Sequence, residues 1–179
     1  MLLVAGLAVL GCCVAGVTAA VVSAALRGEG GAGSGGKGPA AGTLALPGFD
    51  EPVRDGQFEF VVSGLSCGHT ELVNGILRAQ AQGQFCVVEL SVRNIGDEAR
   101  HFGDGLQKAY GPDGDQYAAD THAGVVVNGS GAAVWNVINP GNAVQAKIVF
   151  DIPPTATITT LELHDSALSG GVRVAVSGS

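Results

Sequence analysis

The side chains able to do chemistry in this chain are few and scattered. Four histidines stand at His69, His101, His122 and His164. A nucleophilic triad needs a hydroxyl or thiol, a base and an orienting acid within hydrogen-bond reach, and spacing alone cannot place one around these residues. His164-Asp165-Ser166 holds the three types contiguously. In a strand, however, neighbouring side chains point to opposite faces, so adjacency argues against a triad. Asp113, Asp115 and Asp120 are oxygen donors of the kind that calcium gathers about six to eight at a time. The spacing of an EF-hand loop is absent, and Pro112-Asp113-Gly114 followed by an acid reads as a plain hairpin turn. There is no nucleophile elbow, phosphate-cradling loop or Cys/His spacing for zinc. The expectation is therefore a protein that is not an enzyme, with no catalytic residue, no metal ligand and no cofactor.

The four cysteines fall into two pairs. Cys12 and Cys13 lie inside an apolar run. Cys67 and Cys86 lie in the globular part, and in an exported domain they are expected to be oxidised to a disulfide. The alternative is two buried free thiols. A bond between them would close a loop of 20 residues, counting both ends, and stabilise by roughly 3 kcal/mol through the unfolded chain. Asn128-Gly129-Ser130 matches a glycosylation acceptor and reads as incidental. Trp135, the only tryptophan, reads as core, with an exposed binding anchor as the alternative.

These residues need elements to position them. Leu2–Leu26 holds no charged side chain across 25 positions. A hydrocarbon core of roughly 30 Å needs about 20 apolar residues, so residues 1–26 are expected to form a transmembrane anchor. A cleaved signal peptide would have a basic leader and a shorter apolar stretch. Val9-Leu10-Gly11-Cys12 resembles a lipoprotein box, but the apolar run continues well past Cys12. Arg27 and Lys37 follow the run, and by the positive-inside rule they would keep the remainder in the cytoplasm. The cysteine pair and the β-rich pattern point the other way, and the domain is expected to be extracytoplasmic. Residues 27–48 are rich in Gly and Ala and bury too little to fold. As a flexible coil this segment has a root-mean-square reach of roughly 25 Å.

From Gln57 onward the pattern has period two. Phe58, Phe60 and Val62 form one set; Cys86, Val88, Leu90 and Val92 another. Val144, Ala146, Ile148 and Phe150, then Leu161 and Leu163, then Val172, Val174 and Val176 complete it. Each set reads as a strand with one face in a core. Cys86 shares its strand's inward parity. Asn94-Ile95-Gly96-Asp97, Pro112-Asp113-Gly114-Asp115, Asn139-Pro140-Gly141-Asn142 and Pro153-Pro154 are turn signals. No window of twelve or more residues carries a helical stripe. His69–Gly83 is polar and reads as a loop pinned at both ends by the cysteines. Of 16 acidic and 9 basic side chains, only Glu29, Arg27 and Lys37 precede Phe49, leaving 15 against 7 beyond it. That surface repels phosphates, so no nucleic-acid partner is expected. The expected fold is an all-β antiparallel sandwich over residues 49–179.

An ordered series runs through this region: Phe58-Glu59-Phe60-Val61-Val62, Gly83-Gln84-Phe85-Cys86-Val87-Val88 and Val92-Arg93-Asn94-Ile95-Gly96-Asp97-Glu98-Ala99. It continues with Tyr110-Gly111-Pro112-Asp113-Gly114, Ile138-Asn139-Pro140-Gly141-Asn142, Val149-Phe150-Asp151-Ile152-Pro153 and Leu161-Glu162-Leu163-His164-Asp165. From about Pro52 to Val176 the series resembles the telokin-like family of actinobacterial extracellular domains, domain of unknown function 4352. That family is related to a secreted mycobacterial immunoprotective antigen. The resemblance implies an immunoglobulin-like sandwich and supplies no catalytic residues. The function expected is a membrane-tethered binding or structural module whose partner is a protein or a cell-wall component, with no small-molecule substrate evident. The alternative is a calcium-dependent or enzymatic domain using the acidic loops between Asp97 and Asp120.

Overall fold

The computed structural model describes residues 45–177. The apolar span over Leu2–Leu26, the lipobox-like cysteine and the linker up to residue 44 lie outside the described residues. Among those described, no helix is long and apolar enough to cross a membrane.

Eight strands form two four-stranded antiparallel sheets. The first contains β1 (Pro52–Asp55), β2 (Phe58–Asn74), β3 (Leu77–Asn94) and β6 (Ala143–Ile152), in the order β1-β2-β3-β6. The second contains β4 (Lys108–Tyr110), β5 (Gln116–Ala118), β7 (Thr160–Leu163) and β8 (Val172–Ala175), in the order β5-β4-β7-β8. A single α-helix, α1 (Thr121–Asn128), stands among the described residues, with 3-10 turns at Asp104–Leu106 and Ala133–Trp135.

The period-two sets fill the space between the sheets. Phe58, Phe60, Val62, Cys86, Val88, Leu90, Val92, Ile148 and Phe150 from the first sheet meet Ala109, Leu161, Leu163 and Val174 from the second. Phe58, Phe60 and Phe102 pack as an aromatic trio with centroids 6.0–6.3 Å apart. Burying this apolar surface is what holds the two layers together.

The strands on β2 and β3 run far beyond the predicted alternation. The segment His69–Gly83 is not a loop. Glu71↔Gln80, Leu72↔Ala79, Val73↔Arg78 and Asn74↔Leu77 are strand pairs, turned at Gly75-Ile76. The reason lies on the opposite face of the sheet. Ala79, Phe85, Val87 and Val149 point away from the main core and are buried with Ala123 and Val126 of α1. Polar residues at the arm's surface therefore coexist with an apolar face that needs a strand to present it. The residues of α1, with Gly124 and three consecutive valines, are poor helix formers. Asp120 caps the helix, accepting from the Ala123 N–H at 2.9 Å, and packing on the sheet supplies the rest.

Cys67 and Cys86 are bonded, with Cα atoms 4.0 Å apart. They face one another across β2 and β3, where Ser66 pairs with Val87 and His69 with Phe85. Two residues, Cys67 and Gly68, thus oppose Cys86 alone, which is a β-bulge. Gly68 takes φ +90° there, a conformation open to glycine. The expected bond forms, and the segment it closes is a pair of hydrogen-bonded strands, not an irregular loop.

Backbone contacts tie the sheets along both edges. Ala119 bridges Phe150, and the Asp120 N–H donates to the Val149 carbonyl at 2.7 Å. On the other side the Ala175 N–H donates to the Pro47 carbonyl at 2.7 Å, and the Asp50 N–H to the Val62 carbonyl at 2.8 Å. Asp55 adds a side-chain tie, accepting from the N–H groups of Asp165 at 2.7 Å and Gly171 at 3.1 Å.

Candidate functional site

Two places concentrate polar groups or concavity. The first is the outer face of the second sheet. Strand register sets Lys108 opposite Glu162 and Glu162 opposite Arg173. Glu162 Oε1 accepts from Lys108 Nζ at 3.2 Å and Tyr110 Oη at 3.2 Å, and pairs with His164 Nε2 at 3.1 Å. Its Oε2 accepts from Arg173 Nε at 3.0 Å. Arg173 also lies over the Tyr110 ring, 4.8 Å from its centre. Burial pushes the Glu162 carboxyl upward, but the hydrogen bonds from His164, Lys108 and Arg173 more than offset it. The net result is a carboxyl lowered to about 2. The same partnership raises Arg173.

His164 completes a chain that resembles catalytic machinery. Its Nδ1 lies 3.3 Å from Ser169 Oγ, and its Nε2 touches Glu162. The serine is not the neighbouring Ser166, and the acid is not Asp165. The Ser169 hydroxyl, though, donates to the Ser166 carbonyl at the shorter distance of 2.9 Å. A hydroxyl has one proton to give, so in this state it is directed away from the base. Gly171 (φ +73°) lies against the ring; a Cβ there would come within 2.6 Å of His164 Cε1. The arrangement locks the β7–β8 connection onto the sheet.

The second place is a cleft of about 620 Å³ at the disulfide end of the sandwich. Its walls are Leu65, Cys67 and Gly68 of β2, Gln84 of β3, the connection Pro154–Thr159, and Val176–Ser177. Gln84 holds that connection in place: its amide nitrogen donates toward the carbonyls of Pro153, Pro154 and Ala156 at 3.2, 3.0 and 3.0 Å. Among the described residues no charged side chain lines the cleft, although the protein carries a formal charge of −7.

The other sequence-derived candidates are dispersed. Asp113 and Asp115 are exposed in the β4–β5 turn, while Asp120 is spent capping α1. Among the described residues no three His, Cys, Asp or Glu side chains are placed to share a metal ion. His101 and His122 are exposed, and His69 meets Ser66 Oγ at 2.9 Å. The Asn128 amide is spent on the β6 edge, donating to the Lys147 carbonyl at 2.7 Å and accepting from its N–H at 2.9 Å. Trp135 is half-buried against the main core, its indole N–H donating to the Gly129 carbonyl at 2.8 Å.

A family model described as a domain of unknown function (DUF4352) matches residues 47–174. The chain belongs to this family. Its fold recurs in solved structures of low sequence identity. The yjhA protein of Bacillus subtilis is 10% identical with a TM-score of 0.55, covering 74% of this chain and 100% of that one. The secreted protein MPT63 of Mycobacterium tuberculosis is 14% identical with a TM-score of 0.50, covering 75% and 97%. A conserved hypothetical protein of Bacillus anthracis is 14% identical with a TM-score of 0.50, covering 71% and 94%. At these identities the likeness carries the fold of the DUF4352 domain and nothing of its chemistry. No curated protein matches the chain.

Sequence reasoning missed the Glu162 cluster in this DUF4352 domain. A signal was present: Glu162 in β7 and His164 just past its end are two apart, the spacing of a shared face. Their partners Lys108 and Arg173 come from strands whose register only the fold sets. The cleft had no signal, because its walls are hydroxyl, amide and small apolar residues drawn from four distant segments.

Proposed function

We propose that this chain is a membrane-tethered, extracytoplasmic binding module without enzymatic activity, presenting one immunoglobulin-like sandwich to a protein or envelope component. The observation that carries the reading is the uncharged cleft walled by Leu65, Gln84, the Pro154–Thr159 connection and Val176. Concave, mostly apolar surface with a few fixed polar groups is the usual form of a recognition site. Three features favour display outside the cytoplasm. They are the Cys67–Cys86 bond, the uncharged run Leu2–Leu26, and the likeness to MPT63, which is described as secreted. The Gly-rich segment then acts as a spacer between bilayer and domain.

A photo-reactive amino acid placed at Thr157, in the cleft wall, tests the reading in the native envelope. Irradiation should yield a discrete adduct that is absent when the same group stands at Asp113, in the β4–β5 turn. Equal adducts at both positions, or none at either, would remove the cleft as the binding surface. Protease added to intact cells should release the domain by cutting between residues 27 and 44. A domain digested only after lysis would place it inside and overturn the extracytoplasmic assignment.

A further inference from the structure

A smaller cavity of about 230 Å³ lies beside the Glu162 cluster, on the other sheet from the cleft's disulfide wall. Its walls are the turn Gly105–Gln107, Lys108, Gln116, Ala118, His164 and Ser166–Ala167. What the cavity can hold follows from which lining groups are already spent. Gln107 is fully used: its amide donates to the carbonyls of Gly103 and His164 and accepts the His164 N–H. Both ring nitrogens of His164 are engaged. Lys108 spends one bond on Glu162, and an ammonium has three to give. The Ser166 hydroxyl has no partner among the described residues. Tyr110 Oη gives its one proton to Glu162, so the Gln116 amide 3.2 Å away is engaged with the same hydroxyl as a donor. The groups left to meet a ligand are thus the Lys108 ammonium, which can only donate, and the Ser166 hydroxyl, which can donate.

Charge points the same way. Among the described residues no acidic side chain lines the cavity. Glu162 behind it is satisfied by Lys108, Tyr110, His164 and Arg173. Two permanent cations against one carboxylate leave the cluster locally positive in an acidic protein. Leu106, Ala118 and Ala167 add short apolar walls. A cavity of this size admits a small molecule of roughly ten non-hydrogen atoms or fewer. We propose that it binds a small organic carboxylate, with the acid group on Lys108 and Ser166 and a short aliphatic part against Leu106 and Ala118. The inference stands apart from the cleft and does not depend on what the cleft binds.

The test is titration of the full chain in detergent micelles with propionate, with the isosteric neutral propionamide, and with inorganic phosphate. Saturable binding of propionate, absent with propionamide, is expected. Lys108→Gln should weaken it about tenfold or more, the usual loss for a charge-assisted hydrogen bond. Ser166→Ala, which leaves the Glu162 cluster intact, should weaken it by a smaller factor; should Lys108→Gln fail to fold, this variant decides. A short peptide with a free C-terminal carboxylate distinguishes the source. Binding tighter than propionate, lost on C-terminal amidation, identifies a protein terminus; binding of propionate alone identifies a free small acid. Equal binding of propionate and propionamide, preference for phosphate, or indifference to Ser166→Ala would each overturn the proposal.

Discussion

The two sheets cover their outer faces by opposite means. The first hides Phe85, Val87 and Val149 under α1 and the β2–β3 arm, an apolar seal. The second carries Lys108, Tyr110, Glu162, His164 and Arg173 across β4, β7 and β8, an ionic one. Strand length accompanies the difference. β2 and β3 span 17 and 18 residues, whereas β4, β5, β7 and β8 have three or four each. A short strand has little side-chain area to offer a covering helix, and cross-strand charge pairs hold its register instead. An apolar seal is indifferent to pH; an ionic one is not. That difference can be tested from both sides.

The largest effect is expected at the apolar seal. Phe85 is 1% exposed, and Phe85→Ala should cost about 3–5 kcal/mol through lost burial and the cavity left behind. Urea unfolding should show the loss equally at pH 7 and pH 4. A loss confined to one pH would mean that the two seals are coupled. The disulfide comes next. Replacing Cys67 by Ser and Cys86 by Ala together should cost roughly 3 kcal/mol in the chain-entropy picture. It should not change how stability depends on pH, since the bond lies on the first sheet.

The ionic seal has a defined pH signature. The Glu162 carboxyl is about 2 in the fold against an ordinary 4.5. A lowered carboxyl contributes stability that is fully present above 4.5 and is lost as pH falls toward 2. The gap corresponds to at most on the order of 3 kcal/mol. Glu162→Gln should therefore lower stability at pH 7 and flatten the acid limb between pH 4.5 and 2. Denaturation midpoints of the two proteins should converge near pH 2. A constant difference across that range would show that Glu162 acts by packing and not by charge.

How much of this was legible follows from the same contrast. Main-core strands could be read because Phe58-Phe60-Val62 and Cys86-Val88-Leu90-Val92 alternate in one chain segment. The arm His69–Gly83 could not, because its apolar face is thin (Leu72, Leu77, Ala79, Ala81) and its cover, α1, lies some forty residues on. β4 and β5, of three residues each, are too short for any periodicity to register. Likewise α1, at eight residues with Gly124 inside, has no propensity signal and exists because Asp120 caps it and the sheet receives it. The Glu162 cluster is a product of register between strands, with Lys108 and Tyr110 more than fifty residues from Glu162 in the chain. Sequence pattern reports a residue's own face but not who stands opposite.

The smallest effect is expected where the two seals meet the linking turn. Asp104, in the short turn before β4, sits beside Gly124 of α1; a Cβ on Gly124 would lie 2.8 Å from its Oδ2. Burial pushes its carboxyl above the ordinary value, an effect only partly countered by N–H bonds from Gly105 and from its own amide. A raised carboxyl means that the charged form is held less well in the fold than in the unfolded chain, so ionisation opposes folding at neutral pH. Asp104→Asn keeps an acceptor for the Gly105 N–H, which now reaches Asp104 Oδ1 at 2.9 Å, and removes the charge. Stability at pH 7 should rise by less than about 1 kcal/mol, within the usual scale of single polar changes. The gain should shrink as pH falls below the raised native value and vanish below the ordinary 3.8, where the unfolded chain is protonated as well. One opposing effect sets the sign: Gly124 belongs to the first turn of α1, where the helix dipole favours a negative charge. A loss of stability at pH 7 in thermal melts of Asp104→Asn would show that the dipole outweighs desolvation. Asp104 would then count as part of the helix's anchoring, and the seal over the first sheet would prove to be partly electrostatic after all.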